Sequence, residues 1–81
     1  MNIYVRNISY TLNEEELKST FGRYGEVSSA KIITDRDTGR SRGFGFVEMP
    51  NDSEGQQAIE ALDGQAVKGR NIGVSEARQR Q

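Results

Sequence analysis

Phe44 and Phe46, within Arg42-Gly43-Phe44-Gly45-Phe46-Val47, are the residues of this chain best suited to holding a ligand. A strand sends residues two apart to the same face. The two rings then stand side by side, with the Arg42 cation next to them. Gly43, Gly45 and Val47 take the other face, and only Val47 brings a side chain worth burying. A strand that buries its phenylalanines gains nothing from glycines at the alternate positions. The pattern predicts displayed rings, with the glycines keeping the far face thin where a helix presses on it. Flat rings beside a fixed cation suit flat anionic ligands, single-stranded nucleic acid first among them.

Other elements must position that strand. Residues 2–8 alternate, with Ile3, Val5 and Ile8 on one side and Tyr4 and Arg6 on the other, a half-buried strand. Asn13 and Glu16 have capping-box spacing, and Leu12 and Leu17 bracket them at staple positions. The helix they open runs to about Arg23, buries Leu17 and Phe21, and meets a left-handed stop at Gly25. Val27 to Thr34 reads as a second strand, with Val27, Ala30 and Ile32 inward. Val27 and Ala30 break strict alternation, which predicts a bulge or bend between them. A polar loop, Asp35 to Ser41, leads into the third strand at about 42–49, which Pro50 ends. Asn51 and Glu54 form a second capping pair. The helix after them carries Ala58, Ile59 and Leu62 on one face and closes at Asp63-Gly64; Gly55 inside it is a weak point. Arg70 to Ser75 is the last strand, with Ile72 and Val74 inward.

The order β-α-β-β-α-β makes an α+β, ferredoxin-like sandwich. Right-handed crossovers place strands 1 and 3 at the centre of a four-stranded antiparallel sheet with both helices on one face. Tyr4 then joins Phe44 and Phe46 on the helix-free face, and three sequence positions become one platform.

Composition narrows the chemistry. At 81 residues the chain is one domain able to hold a single core. It has no cysteine and no histidine, which removes thiol chemistry, the commonest general base and the commonest transition-metal ligand. Asp35, Asp37, Thr38 and Glu48 are too scattered for a metal site, and no metal or cofactor is expected. No apolar run approaches the roughly 20 residues of a membrane span. The chain is expected in the cytoplasm, as a monomer. The net charge of −1 conceals a dipole. Glu14, Glu15, Glu16, Asp52, Glu54, Glu60 and Asp63 fall in the helical segments. Arg6, Lys31, Arg36, Arg40, Arg42, Arg70, Arg78 and Arg80 fall in strands, one loop and the tail. Such a domain can hold a polyanion on its sheet side, weakly and in a salt-sensitive way.

Over nearly its whole length the chain resembles the RNA recognition motif family. The family octapeptide, Lys/Arg-Gly-Phe/Tyr-Gly/Ala-Phe/Tyr-aliphatic-x-Phe/Tyr, is matched by Arg42-Gly43-Phe44-Gly45-Phe46-Val47-Glu48-Met49. The hexapeptide, aliphatic-aromatic-aliphatic-x-Asn-Leu, is matched by Ile3-Tyr4-Val5-Arg6-Asn7-Ile8. Met49 and Ile8 depart from the pattern at core-facing positions, where methionine fills an aromatic's volume. The compact form is similar to small single-domain bacterial members.

The resemblance implies roles. Tyr4 and one of Phe44 and Phe46 would stack bases, and the remaining ring would pack on sugars. Arg42 would pair with a phosphate, while Arg6, Lys31, Arg36 and Arg40 would steer the backbone. Ser75, Glu76, Ala77 and Arg78 would offer hydrogen bonds to base edges, and Glu48 lies on the same face as the rings. Asn7 would fix the turn out of strand 1. The implied partner is single-stranded RNA, with single-stranded DNA left open. Residues 1–77 would form the domain and 78–81 a polar tail.

Two other readings compete. A peptide-binding module on the same fold would use the helical face or the rings, but members that turn to peptides often lose the platform aromatics. An acyl-phosphate hydrolase of this topology needs an anion-cradling loop after strand 1, and Ile8 to Asn13 has neither glycine nor cation.

Overall fold

A computed structural model describes residues 1–77. The elements are β1 (Asn2–Arg6), α1 (Glu14–Gly22), β2 (Ser29–Thr34), β3 (Ser41–Glu48), α2 (Asp52–Leu62), β4 (Ala66–Val67), β5 (Arg70–Asn71) and β6 (Gly73–Glu76). The main sheet has the order β2-β3-β1-β6 and every pairing is antiparallel. β1 and β3 are the central strands, as the topology argument requires, and the fold is the expected ferredoxin-like α+β sandwich.

Alternation decides the two faces. Ile3, Val5, Val47 and Met49 are buried with Leu17 and Phe21 of α1 and Ala58 and Leu62 of α2. Tyr4, Phe44 and Phe46 must then leave the sheet on the side without helices. Ile8 and Met49 both lie in the core, so the two departures from the family pattern fill core space.

α1 starts where the capping box puts it. The Glu16 N–H donates to Asn13 Oδ1 at 2.8 Å, and the Asn13 N–H donates to Glu16 Oε1 at 3.1 Å. The helix end differs from expectation. Gly25 is not left-handed; the cap is Arg23 in the right-handed region. Gly25 is needed for another reason: a Cβ there would overlap the side chain of Glu54 at the start of α2. That approach also changes the second capping pair. Asn51 Oδ1 accepts from the Glu54 N–H at 3.0 Å, but Glu54 Oε1 accepts from the Glu26 N–H at 3.2 Å instead of reaching back. Glu54 thus ties the two halves of the helical layer together. Gly55 is buried beneath the Met1 sulfur, where a Cβ would collide, so its lack of a side chain serves packing.

The irregularity in β2 is also elsewhere. Val27 precedes the strand, so it escapes alternation without a bulge. The register instead slips between Ile32, opposite Gly45, and Thr34, opposite Ser41. Arg42, Gly43 and Phe44 of β3 therefore face Ile33 alone, a bulge on the β3 side. Gly43 takes a φ of 86° there, a conformation only glycine adopts without strain. A Cβ on Gly45 would strike the Lys31 carbonyl oxygen. The glycines of this strand are thus set by the bulge and by the β2 backbone rather than by a helix.

The segment expected as one last strand is two elements. β4 and β5 form a small hairpin whose turn, Lys68 and Gly69, has φ of 50° and 84°. Positive φ at both central positions is the primed turn that matches strand twist. The chain then enters β6, with Ile72 and Val74 buried as expected. No helix among the described residues is long and apolar enough to cross a membrane.

Candidate nucleic-acid interface

The register assembles the site in rows across the sheet. Lys31 pairs with Phe46, Phe46 with Tyr4, and Tyr4 with Ser75, so one row crosses all four strands. The next row is Phe44, Arg6 and Gly73. On the other side run Ser29, Glu48 and Asn2, whose carbonyl accepts from the Ala77 N–H at 2.9 Å.

The rings touch. Tyr4 lies 5.5 Å from Phe46 and 6.0 Å from Phe44 between centroids, and the two phenylalanines are 6.5 Å apart edge to face. These are favourable aromatic separations, so each ring restrains its neighbours. No layer of the described residues covers them, and Phe46 keeps 39% of its surface exposed. Rings held in place and still open are preorganised to receive other flat groups.

The cations surround this patch unevenly. Lys31 and Arg6 are exposed and stand in the ring rows. A Cβ on Gly73 would fall on the Arg6 guanidinium, so glycine there lets Arg6 lie across β6. Arg36 and Arg40 are exposed in the loop between β2 and β3. That loop has an internal frame: Asp35 Oδ1 accepts from the Asp37 N–H at 2.8 Å and the Thr38 N–H at 3.2 Å. These bonds, the Asp37 one foremost, hold the Asp35 carboxyl below its ordinary range, with Arg42 adding to the effect. Arg42 lies at the bulge, where alternation breaks, and lines a cleft with the loop residues.

The C-terminal side is mixed. Ser75 is exposed in the Tyr4 row. Glu76 pairs with Ile3, so its side chain leaves on the helix side. Ala77 extends the ladder by one hydrogen bond. Arg78 lies outside the described residues.

Sequence reasoning assigned no role to Tyr10, which is 67% exposed. Its polar surroundings in a loop give no periodic signal. Asn7 does fix the exit from β1. It has a φ of 59°, its Nδ2 donates to the Asn71 carbonyl at 2.7 Å, and its Oδ1 accepts from Arg70 at 2.6 Å.

Residues 3–73 match the family model described as the RNA recognition motif. RbpB of the cyanobacterium Nostoc sp. is 51% identical over 81 residues, all of this chain and 79% of RbpB. The glycine-rich RNA-binding protein blt801 of Hordeum vulgare is 49% identical over 77 residues, 95% of this chain and 48% of its own length. Among solved structures, the crystal structure of RNA binding protein PG1 superposes with a TM-score of 0.95 at 52% identity, covering 100% of this chain and 98% of PG1. A Sex-lethal protein–RNA complex superposes with a TM-score of 0.92 at 30% identity, covering 99% of this chain and 48% of the Sex-lethal chain. The motif residues, the fold and these likenesses agree: the chain belongs to the RNA recognition motif family.

Proposed function

We propose that the protein binds single-stranded RNA by laying it across the helix-free face of the sheet, without catalysing a reaction on it. Bases stack on Tyr4, Phe44 and Phe46, while Arg6, Lys31 and the cations of the β2–β3 loop take the phosphates. Ser75, Ala77 and Glu48 border the rings and offer polar groups to base edges. The observation that carries this reading is the uncovered cluster of three rings, 5.5 to 6.5 Å apart. Each stacked base contributes about 1–3 kcal/mol, so two or three are enough for modest affinity.

Acidic side chains gather on the helical layer, with Glu14, Glu15 and Glu16 in the first turn of α1 and Asp52 and Glu54 in that of α2. A polyanion is thereby directed to the sheet. The test is retention of random single-strand pools, run as RNA and as DNA. Retention of RNA supports the reading, and a preference for RNA points to contacts with the 2′-hydroxyl. Failure to retain either pool at low salt would overturn it.

A further inference from the structure

The main sheet has two outer strands, β2 and β6. An edge strand presents a row of N–H and C=O groups on which another strand can add. Here each edge is met by a carboxylate. Glu14, the first residue of α1, reaches the outer side of β2, where its Oε2 accepts from the Ile32 N–H at 3.0 Å. Asp63, the C-cap of α2, reaches the outer side of β6, where its Oδ1 accepts from the Val74 N–H at 2.9 Å. Ile32 and Val74 are interior positions of their strands, and their side chains are buried.

The β6 edge shows what these carboxylates replace. Two residues before Val74, the Ile72 N–H donates to the Gln65 carbonyl at 3.0 Å, and the Ile72 carbonyl accepts from the Gly64 N–H at 2.8 Å. Outward groups recur at every second residue of an antiparallel strand. At Val74 the Asp63 side chain therefore stands where the next carbonyl of a neighbouring strand would be. Glu14 stands in the same way at Ile32. A strand adding to either edge must first displace a carboxylate from its amide donor.

The charge acts as well. Two copies of the chain can join edges as β2 to β2, β6 to β6 or β2 to β6. These pairings bring Glu14 against Glu14, Asp63 against Asp63, or Glu14 against Asp63. With strands of six and four residues, little offset is available to separate them. Like charges facing each other across a strand pair are destabilising.

We propose that Glu14 and Asp63 are edge guards, which keep this sheet from pairing with a second copy of the chain. They fill the hydrogen-bonding lane of each outer strand and repel the matching guard of another molecule. The device sits on the rims of the sheet and does not depend on what the aromatic face binds.

The test is sedimentation velocity of the free protein over a wide range of concentration, with backbone amide exchange followed by NMR. The parent should sediment as one chain throughout. Glu14→Ala leaves the Asn13–Glu16 cap in place, so α1 keeps its start. This variant should shift toward the mass of two chains as concentration rises, and so should Asp63→Ala. The Ile32 amide should exchange faster in dilute Glu14→Ala than in the parent, and slow again on association; the Val74 amide should do so in Asp63→Ala. If Asp63→Ala does not fold, Asp63→Asn, which removes the charge alone, takes its place and is judged in the same way. A folded variant that stays monomeric at every concentration overturns the guard at its own edge. Association that leaves the Ile32 and Val74 amides unprotected overturns edge pairing. A parent that dimerises through these strands overturns the whole proposal.

Discussion

Tyr4 and Phe46 are direct partners across β1 and β3, with ring centroids 5.5 Å apart and planes tilted by 42°. Forty-two positions separate them in sequence, and only the strand register brings them together. A one-residue slip would turn one ring into the core and put a core residue on the surface. Ile3 opposite Val47 and Val5 opposite Gly45 guard against that, because they bury the other face of the same pairing.

Removing one ring should therefore cost binding rather than folding. Tyr4→Ala is expected to reduce RNA affinity by about 1–3 kcal/mol, the worth of one stacked base. Tyr4→Phe should keep most of it. Anisotropy titrations paired with thermal melts check both halves, and a variant that melts early without binding less would contradict the assignment.

Lys31 and Arg6 stand in the ring rows, so each should contact a phosphate rather than read a base. Lys31→Gln is expected to weaken binding alike for all sequences and to reduce the log–log salt slope by about 0.7. Titration at several salt concentrations measures this directly. A sequence-dependent loss with an unchanged slope would mean that Lys31 contacts bases.

Gly45 should be sensitive to even the smallest added side chain. A Cβ there meets the Lys31 carbonyl oxygen of β2, a backbone group that cannot move aside without disturbing the pairing. Gly45→Ala is expected to destabilise the domain by about 1–3 kcal/mol. Gly22→Ala, where a Cβ meets nothing, is the matched control. Denaturant melts of both variants test the contrast.

The start of α1 should lose support in acid. The Glu16 carboxyl is held below its ordinary value, first by the hydrogen-bonded Lys68 ammonium at 2.8 Å and then by the Asn13 N–H. A depressed folded value means the stabilisation is complete above the ordinary 4.5 and disappears as pH falls through the lower folded value. Glu16→Gln should be slightly less stable than the parent at neutral pH, and the gap should narrow below 4.5. Melts across that range give the answer, and a gap that widened in acid would refute it.

The platform was legible because it needs only a period of two and the handedness of crossovers. Tyr4, Phe44 and Phe46 obey the first, and the element order supplies the second. The Asn13–Glu16 cap was legible because both partners lie three residues apart. What escaped were relations between distant segments. Gly25 yields to Glu54, Gly45 to Lys31 and Gly73 to Arg6, and none of these neighbours is near in sequence. The bulge that displaces Arg42 exists only in the pairing of β2 with β3. The β4–β5 hairpin was hidden because Lys68, not asparagine or aspartate, opens its turn.

The most direct measurement is a titration of single-stranded RNA against Phe44→Ala/Phe46→Ala, with the fold checked by circular dichroism. Both rings are at least partly exposed and the core lies on the opposite face, so the variant should fold. A folded double variant that has lost at least a hundredfold in affinity, roughly 3 kcal/mol, is the predicted result. A folded variant with an unchanged curve would show that RNA does not bind on these rings.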